Sequence, residues 1–123
     1  MNSMNEKFRD DEKLYRAVFL KDLYQKENGR ISSAVFLDKK GQGLSVDRDG
    51  GRAEIEVIID MKKRLHGNII SVKVMDCRNV KALVLYKPSR DNKFHSEIHG
   101  SLESPLLSPE QRLILSKKSV ICG

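Results

Sequence analysis

The sequence predicts an α+β fold, in which a mixed, mostly antiparallel sheet of four or five strands packs against two or three helices. Two observations favour this fold. Several short segments alternate apolar and polar residues, and two others carry the charge and capping patterns of helices. The chain has 123 residues, of which 39% are hydrophobic and 33% are charged. That length and composition allow one modest core and exclude a two-domain enzyme.

The N-terminal residues differ in composition from the rest of the chain. Residues 1–11 are mostly polar or charged and contain one aromatic side chain, Phe8. Because this composition is typical of a frayed terminus, we expect residues 1–11 to be a flexible segment. Residues 12–123 are expected to form a single compact α+β domain.

The first half of the chain contains two apolar segments and a glycine-rich one. Residues 14–23 fit either a helical stripe or a short buried strand, and periodicity does not decide between them. A turn is expected at Asn28-Gly29, and a strand over residues 31–37. Four of the eight glycines then fall within eleven residues and flank the segment LSVDRD, residues 44–49. We expect a loop there that needs unusual backbone angles or a close approach.

Charge placement favours a helix over residues 53–65. Asp49 is its expected N-cap, acidic residues occupy its early turns, and basic residues occupy its last turn. Strands are expected over residues 69–75 and 82–86 because these segments are rich in β-branched and apolar residues. Residues 94–99 are expected to pair with the second of these strands as a hairpin.

The last element is a helix with complete start signals. Ser108 is its expected N-cap, Pro109 occupies the first helical position, and Gln111 completes a capping box. The helix is expected to run to about Lys118. Residues 113–114 begin its apolar face.

Cysteine usage and hydropathy bear on the compartment. The spacing of Cys77 and Cys122 matches neither a zinc pair nor a CxxC motif. No run approaches the roughly 18 to 20 apolar residues that span a bilayer, and the first residues lack the pattern of an export signal. We therefore expect a cytoplasmic protein without membrane association, whose two thiols stay unpaired.

Positive charge is concentrated in the second half of the chain. The formal charge of the whole chain is +6, whereas residues 62–93 contain nine basic and two acidic residues, a net of +7. Such a block attracts phosphate backbones, although a solvated face that keeps a small protein soluble has the same composition. The candidate nucleic-acid-binding residues are Lys62, Lys63, Arg64, Lys73, Arg78, Lys81, Lys87, Arg90 and Lys93.

The most concentrated polar segment is residues 95–99, with the sequence HSEIH. If this segment is a strand, its period of two places His95, Glu97 and His99 on one face. These side chains can ligate a divalent metal, or Glu97 can act as an acid or base beside a histidine. The same pattern is also that of an ordinary polar strand face.

The glycine-flanked segment carries tightly packed charges. Asp47 and Asp49 can hold a divalent ion, and Arg48 with Arg52 can grip a phosphate. The alternative is a self-neutralising turn that caps the following helix. Loops of this composition are often functional, so both interpretations stay open.

Four segments in order resemble a family of short uncharacterised bacterial proteins. They are Leu14-Tyr15-Arg16-x-Val18, Gly29-Arg30-Ile31-Ser32-Ser33-x-x-Phe36, Gly43-Leu44-Ser45-Val46-Asp47-Arg48 and His95-x-Glu97-Ile98-x-Gly100. The resemblance covers most of residues 14–100 and implies one domain with a shared site, without implying a reaction. It groups as candidate catalytic residues Arg16, Ser32, Ser33, Asp47, Arg48, His95 and Glu97.

A looser resemblance concerns ADP-ribosyltransferases. Their sites take an Arg or His from one strand, a Ser-rich strand start, and a Glu from a later strand. Arg16, Ser32-Ser33 and Glu97 occur in that order, although the interval between Arg16 and Ser32 is short for that architecture. The resemblance implies that Glu97 orients the nicotinamide ribose, and that the arginine and serines hold the cofactor.

These patterns predict a small basic domain that binds nucleic acid or another phosphate-bearing ligand. Proteins of this size are often one part of a toxin, defence or mobile-element system, which is the setting we expect. One alternative is a small enzyme that acts on a nucleotide, similar to ADP-ribosyltransferases. Another is an accessory module that binds a partner protein. The sequence contains no P-loop, GxSxG, HExxH or dinucleotide fingerprint, so no motif assigns a cofactor.

Overall fold

The computed structural model describes residues 8–18 and 31–123. In this part of the chain, six strands form one sheet with the order β4-β5-β2-β1-β3-β6, and all paired neighbours are antiparallel. The strands are β1 (Lys13–Val18), β2 (Leu44–Arg48), β3 (Asn68–Lys73), β4 (Leu83–Tyr86), β5 (His95–His99) and β6 (Val120–Ile121). The helices are α1 (Glu54–Arg64), α2 (Val74–Asn79) and α3 (Pro109–Lys118), and a 3-10 helix spans Ser33–Phe36. The predicted α+β class is confirmed, with six strands instead of four or five.

The sheet packs apolar side chains on both of its faces because side chains alternate along each strand. On one face, Leu14 and Val72 belong to the main core cluster, which α2, α3 and the 3-10 helix complete. On the other face, Tyr15 and Ile69 pack against Met61 of α1. Helices α1 and α2 therefore lie on opposite faces of the sheet.

The first described strand resolves one open interpretation of the sequence. The segment that fits both a helix and a strand begins as β1, which pairs with β3 along its whole length. Residues 19–30, which include the expected turn at Asn28-Gly29, lie outside the described residues. So do residues 1–7 of the expected flexible segment, whereas Phe8 is buried in the main core cluster. Packing against the domain thus already includes residues before Glu12.

The strand expected over residues 31–37 is wrong. The chain forms a 3-10 helix there, and the Ser32 side chain accepts a hydrogen bond from the Ala34 N–H at 3.2 Å. The adjacent residues Val35 and Phe36 are both buried in the main core cluster. A strand sends neighbouring side chains to opposite faces, whereas a helical turn can direct both toward one core.

The loop expected at the glycine-flanked segment is also wrong, because Leu44–Arg48 is the strand β2 inside the sheet. Leu44 and Val46 are buried in the main core cluster, and Ser45 and Asp47 alternate with them. The expectation of unusual backbone angles at the flanking glycines is confirmed. Their φ angles are positive, at 71°, 121°, 59° and 84° for Gly41, Gly43, Gly50 and Gly51.

Helix α1 matches the predicted position, but its expected N-cap is wrong. The N-cap residue is Ala53, whose N–H donates to the Glu56 side chain at 3.0 Å. The Asp49 side chain instead accepts hydrogen bonds from the N–H groups of Lys13 and Gly51, at 3.0 and 2.8 Å. Asp49 therefore fixes the turn that precedes the helix.

The second half of the chain follows the expected order with one addition. The hairpin of β4 and β5 is confirmed, as is the capping box of α3. The strand expected to end at residue 75 stops at Lys73, and the unpredicted helix α2 follows. The N–H groups of Val74 and Met75 donate to the carbonyl oxygens of Glu12 and Asp10, so the chain turns away from the sheet.

Two smaller expectations are tested by burial. On α3, Leu113 is exposed and Leu115 is buried, so the buried face centres two residues after Leu113. Both cysteines are free thiols, and burial raises the pKa of Cys77 to about 12. Among the described helices, none has the length and apolar character needed to cross a membrane.

Candidate functional site

A cleft opens where strands β1 and β2 stop pairing. The two strands form only two described residue pairs, Leu14 with Arg48 and Tyr15 with Asp47. Continued pairing would place Ala17 opposite Ser45, but no pair forms there in the described part of the sheet. Strand β1 stays paired with β3, and β2 stays paired with β5. The sheet is therefore split between its two central strands.

The split holds a cleft of about 600 Å³. The end of β1 and the start of β2 form its two sides. The 3-10 helix and residues 37–40 line it from one face of the sheet, and the end of α1 lines it from the other. This volume lies within the roughly 300 to 1,000 Å³ range of small-molecule sites.

Arg16 bridges the split with its side chain. Its Nε donates to the Val35 carbonyl oxygen at 2.8 Å, and its Nη1 donates to the Ser45 carbonyl oxygen at 2.8 Å. The guanidinium thus binds a β2 carbonyl in the region where backbone pairing between the strands has ended. Arg16 also lines the cleft.

Arg16 differs from three other arginines of the chain because no carboxylate neutralises its charge within the described residues. Arg48, Arg52 and Arg64 each form an ion pair with a carboxylate, whereas Arg16 binds only carbonyl oxygens in the described part of the chain. Burial lowers the pKa of Arg16 from its ordinary value, and Asp38 opposes this shift only by its charge at a distance. A desolvated cation without an anion favours binding of an anionic ligand.

Asp47 lines the same cleft but has its carboxylate fully engaged. Oδ2 accepts a hydrogen bond from Arg64 Nη2 at 2.7 Å, and Oδ1 accepts one from Asn92 Nδ2 at 2.9 Å. The residue is buried. Because Arg64 belongs to α1, this ion pair ties the helix to β2 at the cleft. Asp47 therefore acts as a structural anchor.

His95 and Ser45 form a polar pair on the cleft wall. His95 Nδ1 lies 2.9 Å from the Lys87 carbonyl oxygen, and Nε2 lies 3.3 Å from the Ser45 hydroxyl oxygen. Both side chains line the cleft. Strand pairing explains the arrangement, since β5 runs beside β2 with His95 opposite Asp47.

Glu97 lies next to this pair, directly opposite Ser45 in the ladder of β2 and β5. Its Oε1 is 2.8 Å from His99 Nε2 and 3.5 Å from Lys87 Nζ. Both contacts are made by the same oxygen, and Oε2 accepts no hydrogen bond from the described residues.

The backbone of Gly43 covers the side chains of Glu97 and His99. A Cβ atom on Gly43 would lie 2.6 Å from Glu97 Oε1 and 2.5 Å from His99 Nε2, so the backbone passes directly against both side chains. The Gly43 N–H donates to Asp38 Oδ2 at 2.5 Å, which fixes the loop in this position. Only glycine combines this approach with a φ of 121°.

The remaining sequence-predicted residues lie apart from the cleft. Arg48 lies on the opposite face of the sheet from Asp47 and binds Glu12 through two hydrogen bonds of 2.8 Å. Ser32 is buried and caps the 3-10 helix, which Ser33 begins. Of the seven candidates, Arg16 lines the cleft from the face of the 3-10 helix, Asp47 and His95 line it from the face of α1, and Glu97 adjoins them without lining it.

The basic block does not form one surface. Its residues are carried by α1, β3, α2, the connection between α2 and β4, and the β4–β5 turn, and α1 and α2 lie on opposite faces of the sheet. Arg64, Arg78 and Lys87 pair with carboxylates. The described residues also contain no cluster of three or more histidine, cysteine or acidic side chains suited to a metal ion.

Ser45 is the main cleft residue absent from the sequence-predicted site. It alternates with Leu44 and Val46 in a period of two, so the strand pattern places it on the same face as Asp47. The flanking glycines obscured this pattern. Arg64 and Asn92 also reach the cleft, but only the fold brings them to Asp47.

Comparison with known proteins gives no relative for this arrangement. No protein-family model matches the chain, and no curated protein or solved structure matches it.

Proposed function

We propose that this chain is an enzyme that binds a nucleotide in the cleft between β1 and β2, and that NAD⁺ is its substrate. The single observation that carries the proposal is the Arg16 guanidinium, which spans the split without a carboxylate partner in the described residues. A phosphate group is one of the anions whose geometry and charge match a guanidinium.

The composition of the cleft supports a nucleotide over an inorganic anion. Beside Arg16, the cleft has apolar lining from residues such as Val35, Leu44 and Met61, and two further cations, Lys39 and Lys40. A ligand that fills such a cleft needs both an apolar ring and an anionic group. Nucleotides combine the two.

The resemblance to ADP-ribosyltransferases narrows the proposal to NAD⁺. In the sequence it rested on Arg16, Ser32-Ser33 and Glu97, but Ser32 is a helix cap and lies outside the cleft lining. Ser45 takes the serine position in our proposal because it lies on β2, opposite Glu97. In our proposal Arg16 and Ser45 hold the substrate, and Glu97 orients its nicotinamide ribose as the resemblance implies.

Calorimetric titration with NAD⁺ tests the binding half of the proposal. The wild-type chain should bind NAD⁺, and Arg16→Met should weaken binding by about 10-fold to 100-fold, the loss expected for a hydrogen bond to a charged group. The control is Arg112→Met, because Arg112 also donates to a backbone carbonyl, that of Leu107, but lies outside the cleft lining. That variant should bind as the wild type does.

Release of nicotinamide from NAD⁺ tests the reaction. Glu97→Gln should keep NAD⁺ binding within a few-fold and lower the turnover rate by about 100-fold or more, since it removes the carboxylate that orients the ribose. A wild-type chain that binds no NAD⁺, or an Arg16→Met variant that binds it unchanged, would contradict the proposal. Salt-dependent retention of DNA or RNA that survives Arg16→Met would instead favour nucleic acid.

A further inference from the structure

The hydrogen bonds of His95 define which of its ring nitrogens carries the proton. The Lys87 carbonyl oxygen, 2.9 Å from Nδ1, can only accept a hydrogen bond, so Nδ1 carries a hydrogen. In the neutral ring, Nε2 is then an acceptor. The Ser45 hydroxyl, 3.3 Å away, donates to it. A basic nitrogen therefore faces the cleft with its tautomer fixed by the backbone.

No charged side chain of the described residues engages Nε2 of His95, whose partner is the Ser45 hydroxyl. Asp47, its partner in the β2–β5 ladder, is engaged by Arg64 and Asn92. Glu97 and Lys87 approach each other at 3.5 Å on the same side of the hairpin. In the described residues, the hydrogen bonds of the His95 ring are thus those to Lys87 and Ser45.

We propose that His95 is a catalytic base, which takes the proton of the nucleophile that replaces nicotinamide on the ribose of NAD⁺. This inference rests on the proposed function and assigns a step within it. The geometry is that of a base whose other nitrogen is oriented by a third group, with both its side chain and that of Ser45 on the cleft wall.

The step balances with water as the nucleophile. The bond between the ribose carbon and the nicotinamide nitrogen breaks, and its electron pair stays on that nitrogen, which loses its positive charge. The oxygen of water forms a bond to the ribose carbon. Its proton passes to the hydroxyl oxygen of Ser45 while the Ser45 hydrogen passes to Nε2 of His95, which becomes an imidazolium and returns the proton to solvent. Ser45 thus relays the proton to His95 and regains its hydroxyl group.

The test compares His95→Gln with the wild type in NAD⁺ binding, in nicotinamide release across a range of pH, and in the tautomer of His95 by nitrogen NMR. We expect neutral His95 to carry its hydrogen on Nδ1. His95→Gln should lower the turnover rate by about 100-fold and remove the acidic limb of its pH profile. NAD⁺ binding should change less than a few-fold. His66→Gln is the matched control, because His66 is exposed and lies outside the cleft lining.

The outcomes separate the two proposals. If the wild type releases nicotinamide and His95→Gln keeps the same rate and pH profile, the role of His95 is refuted and the proposed function stands. A neutral ring with its hydrogen on Nε2 also refutes this role. If the wild type binds no NAD⁺, the proposed function is refuted, and the inference falls with it.

Discussion

Two arginines on neighbouring strands of this sheet lie in contrasting environments. Arg48 of β2 lies where β1 and β2 are paired, and Arg16 of β1 lies just beyond, where they separate. Arg48 forms a two-bond ion pair with Glu12, whose side chain is 2% exposed, and lies over the rings of Phe8 and Tyr86, 4.1 and 5.0 Å from their centroids. Arg16 donates hydrogen bonds to two carbonyl oxygens and lines the cleft.

The difference separates a structural arginine from a candidate binding arginine. Arg48 and Glu12 line a second cavity of about 400 Å³, where the two side chains neutralise each other as an ion pair. A ligand there would have to replace Glu12, which also accepts the Gly50 N–H at 3.0 Å. At Arg16 a ligand anion would compete with no carboxylate partner of the described residues. The same residue type therefore stabilises the fold at one site and is available to a ligand at the other.

The largest expected effect is the loss of stability in Arg48→Ala. This change leaves Glu12 buried without its partner, which costs about 3 to 5 kcal/mol of the free energy of unfolding. Urea unfolding measures it. The control is Arg90→Ala, because the pair of Arg90 with Asp91 is almost fully exposed and should change stability by less than about 0.5 kcal/mol. A loss below about 1 kcal/mol in Arg48→Ala would remove the distinction between the two arginines.

A smaller effect is expected in the acid dependence of stability. Burial alone would raise the pKa of Glu12, but hydrogen bonds from Arg48 and the Gly50 N–H hold it below the ordinary value of 4.5. Because the folded chain binds this proton less readily than the unfolded chain, the pair stabilises above about pH 4.5. That contribution is lost as the pH falls through the lowered pKa. Glu12→Gln should therefore flatten the stability curve below pH 4.5.

Urea unfolding of both chains across this acid range is the measurement. Some acid sensitivity should persist in Glu12→Gln, since a hydrogen bond from Arg64 lowers the pKa of Asp60 as well. An unchanged slope in the variant would show that Glu12 is not the carboxylate responsible.

Elements with local signals could be predicted from the sequence, whereas elements set by tertiary contacts could not. The capping box of Ser108 and Gln111 and the alternation in β5 are contained in a few consecutive residues. The 3-10 helix depends on two neighbouring side chains, Val35 and Phe36, reaching a core built by distant segments. The glycines around β2 suggested a loop because a glycine-rich segment is typical of turns. In the structure the four glycines with positive φ angles lie at the two ends of a strand.

The candidate site shows the same division. The single-face pattern of His95 and Glu97 follows from strand periodicity, and their alternation is visible in the sequence. The split of the sheet depends on where β1 stops pairing with β2, which no local pattern encodes. The family resemblance grouped Arg48 with Asp47, yet neighbouring residues of a strand lie on opposite faces of the sheet.

The smallest expected effect is the change of stability in Arg16→Met. Removing Arg16 deletes hydrogen bonds to the carbonyl oxygens of Val35 and Ser45, but it also removes a guanidinium whose burial lowers its pKa. Methionine keeps the apolar stem, and water in the cleft can reach the freed carbonyls. The two contributions should nearly offset, so urea unfolding should change by less than about 1 kcal/mol.

Combined with the loss of NAD⁺ binding, this result would identify Arg16 as a residue retained for its ligand. The reverse pattern, with a loss of several kcal/mol in Arg16→Met and unchanged binding of NAD⁺, would make Arg16 a structural bridge between β1 and β2. The cleft would then be a gap in strand pairing that Arg16 bridges. Arg16 and Arg48 would both be structural residues, which stabilise the same sheet through different contacts.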